Sequence, residues 1–86
     1  MVAKRTRART RTRTRTPVAL VTLRVLADPT RLRLFEAVRT KERCVSDLVA
    51  TEKLAQPLVS HHLRVLAQAG LVQARRADGF TLYAVD

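Results

Sequence analysis

The chain has 86 residues and a formal net charge of +10, which allows one small domain and points to a polyanionic partner, nucleic acid before an anionic membrane surface. No run of about 18 apolar residues is present to span a bilayer, and the apolar stretch near the N-terminus lacks a signal-peptide cleavage signature. The one cysteine, Cys44, permits no internal disulfide and no zinc site of paired cysteines, and it fits a reducing cytoplasm.

The first 16 residues are expected to form a disordered basic arm, and residues 17–86 the folded domain. Lys4, Arg5, Arg7, Arg9, Arg11, Arg13 and Arg15 carry a charge of +7 with no acid among them, mostly alternating with threonine. Neither set of an Arg/Thr alternation is apolar. Ordering it, at ~1–2 kcal/mol of backbone entropy per residue, therefore has nothing to offset it. The six arginines are candidate phosphate contacts, each releasing counterions with a salt slope of about −0.9. The alternative is a compositional accident, such as a misplaced start.

After Pro17 the composition changes. Val18–Ala27 predicts a helix that is apolar on almost every side, so one face packs on the core and the other needs a second cover. Asp28-Pro29 ends it and starts another, since Asp caps and Pro suits the first turn. Leu32, Leu34, Phe35 and Val38 are the apolar positions of this second helix. A polar link leads to a third, with Val45, Leu48, Val49 and Leu54 facing inward and with either Cys44 or Ser46 at its cap. Pro57 opens a fourth helix that runs to about Ala69, where Gly70 supplies a left-handed stop. Leu71–Arg76 and Phe80–Val85 predict two short strands, and Asp78-Gly79 between them is a strong hairpin signal. The fold class is therefore mainly α with a small β-hairpin: four helices, the last two joined as a helix-turn-helix, then a wing.

A helical wheel assigns roles on the fourth helix. Val59, Leu63 and Leu66 form a narrow core stripe. Pro57, Ser60, His61, Arg64 and Gln68 lie on the opposite arc. A recognition helix reaches base edges mainly with its N-terminal residues, which selects Gln56, Ser60 and His61 as base or near-base contacts and Arg64 as a phosphate contact. Gln pairs bidentately with adenine, and Ser suits several bases. His62 falls at the edge of the core arc and is expected to be packed and hydrogen-bonded. Arg75 and Arg76 flank the hairpin, where a wing meets the backbone. Tyr83 is expected in the core.

The segments Leu26–Val38 (LADPTRLRLFEAV), Glu42–Leu48 (ERCVSDL) and Gln56–Val72 (QPLVSHHLRVLAQAGLV), with the hairpin ending in Tyr83, resemble the ArsR/SmtB-type family of winged-helix, metal-responsive repressors. The resemblance covers nearly all of residues 20–86; the arm lies outside it. It implies a homodimer on a palindromic operator that leaves when a metal or metalloid binds, and it points to Gln56, Pro57, Ser60 and His61 as DNA contacts. Pro57 stands where a serine is common and gives up a hydroxyl, and Phe80 stands where an arginine is common. Arsenic-sensing members carry a cysteine cluster around the ERCVSDL segment, whereas here Ser46 and Val49 accompany Cys44. Many members add a helix after the wing. The chain ends at Asp86, so a fold lacking that helix and its metal site is expected, with the dimer resting on the 18–27 helix.

Cys44 is the only soft ligand, short of the three or four that arsenite or a soft divalent metal requires. A cysteine packed at a helix start is one reading, an incomplete inducer site the other; no cofactor is otherwise implied. No glycine-rich phosphate loop or nucleophile–base pair suggests an enzyme. The leading function is a sequence-specific, dimeric transcriptional repressor on double-stranded DNA in the cytoplasm. The alternatives are a general RNA- or ribosome-associated basic protein and a winged-helix protein-interaction module.

Overall fold

The computed structural model describes residues 17–85; the basic arm lies outside them. The elements run α1 (Val18–Leu26), α2 (Pro29–Thr40), β1 (Arg43–Cys44), α3 (Val45–Glu52), α4 (Gln56–Gln68), β2 (Gln73–Ala77) and β3 (Phe80–Ala84). This is the expected winged helix-turn-helix, with a short strand, β1, added ahead of α3. Among the described residues no helix is long and apolar enough to cross a membrane.

Local chemistry accounts for the boundaries. The Asp28 carboxylate accepts the Arg31 backbone N–H at 3.0 Å and Pro29 occupies the first turn of α2. Several N–H groups have no intrahelical partner at a helix start, and this bond satisfies one of them. Cys44 occupies the cap position of α3, but its side chain makes no capping bond; its Sγ lies 3.1 Å from Ser46 Oγ instead. At the end of α4, Gly70 donates to Ala67 O at 3.0 Å and Leu71 to Leu66 O at 2.9 Å. These are the two bonds of a Schellman stop, and Gly70 supplies the positive φ of 78° that the stop requires.

The hairpin closes through Asp78 (φ 51°) and Gly79 (φ 81°), the paired positive φ values of a two-residue turn whose twist matches the strands it joins. Ala77 pairs with Phe80, Arg76 with Thr81, Arg75 with Leu82 and Ala74 with Tyr83. On the other side of β3, Arg43 pairs with Tyr83 and Cys44 with Leu82, giving a three-stranded antiparallel sheet in the order β1-β3-β2. The alternation of side chains puts Ala74, Arg76, Thr81 and Tyr83 on one face and Arg75, Leu82 and Cys44 on the other.

Leu34 and Val38 of α2, Leu48 of α3, Val59, Leu63 and Leu66 of α4, and Val72 before β2 form the core. Phe35, Val45, Val49, Leu54, Tyr83 and Val85 pack against it from the side. Leu32 departs from expectation, for it is exposed. Leu34 and Val38, four residues apart, already supply the inward stripe of α2, and Leu32 falls outside it. Helix α1 has no fully buried residue, and Val18, Leu20 and Leu23 stand in solvent.

Candidate DNA interface

The turn between α3 and α4 is three residues long, Lys53-Leu54-Ala55, and begins with Lys53 in the left-handed region at φ 57°. A non-glycine residue pays roughly 1–2 kcal/mol for that conformation. Arg33 of α2 holds the turn in place: its Nη2 donates to the Glu52 carbonyl at 2.8 Å and its Nε to the Glu52 carboxylate at 3.0 Å. An otherwise orphaned carbonyl at the end of α3 is thereby satisfied. Leu54 packs against the core just before α4, which fixes the roll of that helix.

With Val59, Leu63 and Leu66 fully buried, the opposite arc of α4 faces out. Gln56, Pro57, His61, Arg64 and Gln68 are exposed and Ser60 is half-buried. Among the described residues, Gln56, Ser60, His61 and Arg64 hold no side-chain hydrogen bond or ion pair. The arc is thus polar, cationic and uncommitted. Leu58 is also exposed at the first turn, a position that the wheel assigns to neither arc. Ser60 and Gln56 line a cleft of about 560 Å³ that α3 and the wing complete with Ser46, Thr81, Phe80 and Tyr83.

The two wing arginines part company. Arg76 lies on the sheet face that borders this cleft and donates to Thr81 Oγ1 at 3.4 Å. Arg75 is on the opposite face, where its guanidinium grips Glu42 with both branches, Nε to Oε2 at 2.7 Å and Nη2 to Oε1 at 2.8 Å. That hydrogen bond holds the Glu42 carboxyl below the usual range and raises Arg75 above its own. The structure therefore brings Gln56, Pro57, Ser60, His61, Arg64 and Arg76 toward one side and leaves Arg75 away from it. Arg5, Arg7, Arg9, Arg11, Arg13 and Arg15 lie outside the described residues.

His62 is packed, as expected, at 6% exposure. Its Nδ1 accepts a hydrogen bond from Arg31 Nε at 3.2 Å, and its ring stands 5.3 Å from that of His61. Burial pushes its pKa below the ordinary histidine value and so favours the neutral ring, and the bond from Arg31 leaves the ring's one proton on Nε2. Arg31 was not singled out from the sequence; arginine in a helix is usually a surface residue, and only its contact across the fold reveals the bond. At Cys44 no cluster assembles: among the described residues no group of three or more His, Cys, Asp or Glu side chains is placed to hold a metal ion. Cys44 is half-buried at the start of α3 with Ser46 as its neighbour.

A short helix, a three-residue turn, a helix with an uncommitted polar arc and a hairpin beside it define a winged helix-turn-helix protein of the DNA-binding type. The sequence profile of the bacterial regulatory protein arsR family matches residues 28–74. The chain belongs to this family, one of regulators rather than enzymes. A transcriptional repressor SmtB homolog from Synechocystis sp. is 45% identical over 60 residues, 70% of this chain and 46% of the relative. The crystal structure of a possible transcriptional regulator for arsenical resistance superposes with a TM-score of 0.69 at 41% identity, covering 74% of this chain and 67% of the other. The homodimeric winged helix-turn-helix DNA-binding domain of a possible ArsR-family transcriptional regulator from Mycobacterium bovis gives a TM-score of 0.74 at 25% identity, covering 79% and 63%. The chain spans about half the length of curated SmtB-type relatives that it matches.

Proposed function

We propose that this chain is a transcriptional repressor that binds double-stranded DNA as a homodimer, with one α4 in the major groove at each half of a palindromic operator. The observation that carries the reading is the uncommitted arc of α4, set directly against a fully buried stripe on the same helix. Gln56, Ser60 and His61 are the base readers, with Pro57 beside them at the first turn. Arg64 and Arg76 contact phosphate, and Arg75 joins them only when Glu42 releases it. The arm arginines add affinity by displacing counterions. The exposed apolar side of α1 is the seam between the two copies, in keeping with the homodimeric Mycobacterium bovis relative. The protein works in the cytoplasm, where Cys44 stays reduced. Cys44 is the one thiol that arsenite or a soft metal would use as inducer, and such a ligand would need further donors from a second copy or from beyond residues 17–85.

The test is competition binding with a duplex selected from a random library. The wild-type chain should hold that duplex against bulk RNA at physiological salt. Ser60→Ala combined with Arg64→Ala should weaken binding at least ~10-fold, at roughly 1–3 kcal/mol for a base contact, with its circular dichroism unchanged. Equal preference for RNA would favour the general RNA-binding reading, and a double variant that binds as the wild type does would remove α4 from the interface.

A further inference from the structure

Arg31 lies off the reading surface but is bonded to the elements that decide where that surface points. Its backbone N–H is held by Asp28 at the start of α2. Its Nη1 donates to the Val25 carbonyl, in the last turn of α1, at 3.0 Å. Its Nε donates to Nδ1 of His62, on α4, at 3.2 Å. One planar, rigid guanidinium therefore joins the helix whose apolar side stands in solvent to the helix that carries the base readers. The two ends of the link lie close to function. Val25 is two residues past the exposed Leu23, and His62 follows His61 directly.

We infer that Arg31 is a positioning residue that fixes α4 relative to α1 and thereby sets the half-site spacing the dimer accepts. The inference rests on the homodimer proposed above. Half-sites of a two-fold dimer are separated by a defined length of helix, and each extra base pair shifts one of them by ~3.4 Å and turns it by ~35°. A dimer with a stiff α1–α4 link must reject such a shift, whereas a loose link tolerates it. The acceptor is a histidine nitrogen, which stops accepting once it carries a proton and then opposes the guanidinium as a like charge. The charged or titratable groups facing His62 are Asp28 in the α1–α2 link, which favours protonation, and Arg31 of α2 and His61 of α4, which oppose it.

The experiment uses the full chain and duplexes that carry the same inverted half-sites with spacers lengthened or shortened one base pair at a time. Wild type at about pH 7.5 should prefer its best spacer over neighbours by about tenfold, the scale of one well-placed hydrogen bond or two. Arg31→Lys keeps the charge, but its single ammonium does not reproduce the planar fork, so the preference should fall to about threefold or less. Its affinity for an isolated half-site should stay within about twofold of wild type. As the pH is lowered through the native His62 pKa, which burial holds below the ordinary histidine value, wild type should lose the preference in the same way. His62→Gln should keep its preference across the same pH series, because an amide oxygen accepts without titrating. Should Arg31→Lys fail to fold, the comparison of wild type with His62→Gln across pH decides by itself. An unchanged spacer profile in Arg31→Lys, or an equal pH response in His62→Gln, overturns the inference while the dimer stands. A protein that light scattering finds monomeric on every duplex overturns the homodimer and this inference with it.

Discussion

Leu23→Asp probes whether α1 is the seam between two copies. On the single chain Val18, Leu20 and Leu23 are 82%, 39% and 66% exposed, together nearly two whole apolar side chains in water. Burying a complete Val or Leu side chain contributes about 1.5–3 kcal/mol, so covering this face on both copies contributes roughly 6–11 kcal/mol. Association costs about 4–15 kcal/mol in lost freedom. A seam on this face would therefore be only just sufficient, and one leucine per copy would decide the outcome. Replacing Leu23 removes about 2–4 kcal/mol over the two copies, and two carboxylates facing an apolar seam add a dehydration cost. The dissociation constant should rise on the order of 100-fold or more, as measured by sedimentation equilibrium. Helix content should be retained, because Leu23 loses little packing within its own chain. A variant that dimerises with an unchanged constant would place the seam elsewhere.

Three further outcomes are expected. Glu42→Gln opens the exposed ion pair and should change the thermal midpoint little, since solvent and salt screen such pairs; the salt slope of DNA binding should steepen by about one contact as Arg75 becomes free, and an unaltered slope would strike Arg75 from the interface. His62, with its native pKa below the ordinary 6.5, makes stability pH-dependent. Beneath that value the unfolded chain takes up a proton that the folded chain resists, so stability falls as pH drops toward the native pKa. Urea melts across this window should show the loss in wild type and not in His62→Gln. Asp28, with its carboxyl held low by the Arg31 backbone N–H, acts in a separate window, its contribution being lost only below its ordinary 3.8. Removing residues 1–16 should flatten the salt slope of DNA binding by about four to five while leaving the preferred sequence unchanged; a lost sequence preference would mean that the arm reads bases.

Much of the candidate site could be read from residue order. The buried stripe Val59–Leu63–Leu66 predicts its own opposite, so the exposure of Gln56, Pro57, His61 and Arg64 follows from helical period. The exposure of Leu58 was not legible, because composition alone cannot separate an apolar residue at the surface from one that fills a core. Arg75 and Arg76 are adjacent and chemically alike, yet the pleat sends them to opposite faces and only Arg75 meets an acid. Strand β1, two residues long, has too few residues to show a period and exists only because β3 lies beside it.

By itself the sequence determined what short-range chemistry decides: the Asp28 cap, the Gly70 stop, the Asp78-Gly79 turn and the buried stripe of α4. These depend on residues within a turn or two of each other, where the backbone geometry is known in advance. Only the tertiary structure decided which distant side chains meet. Arg31 reaches His62 across 31 residues of chain and Arg75 reaches Glu42 across 33, because the core packing of α2, α4 and the sheet brings their elements together. No local pattern encodes such a pair. Its geometry is set by the packing of apolar side chains that neither partner belongs to.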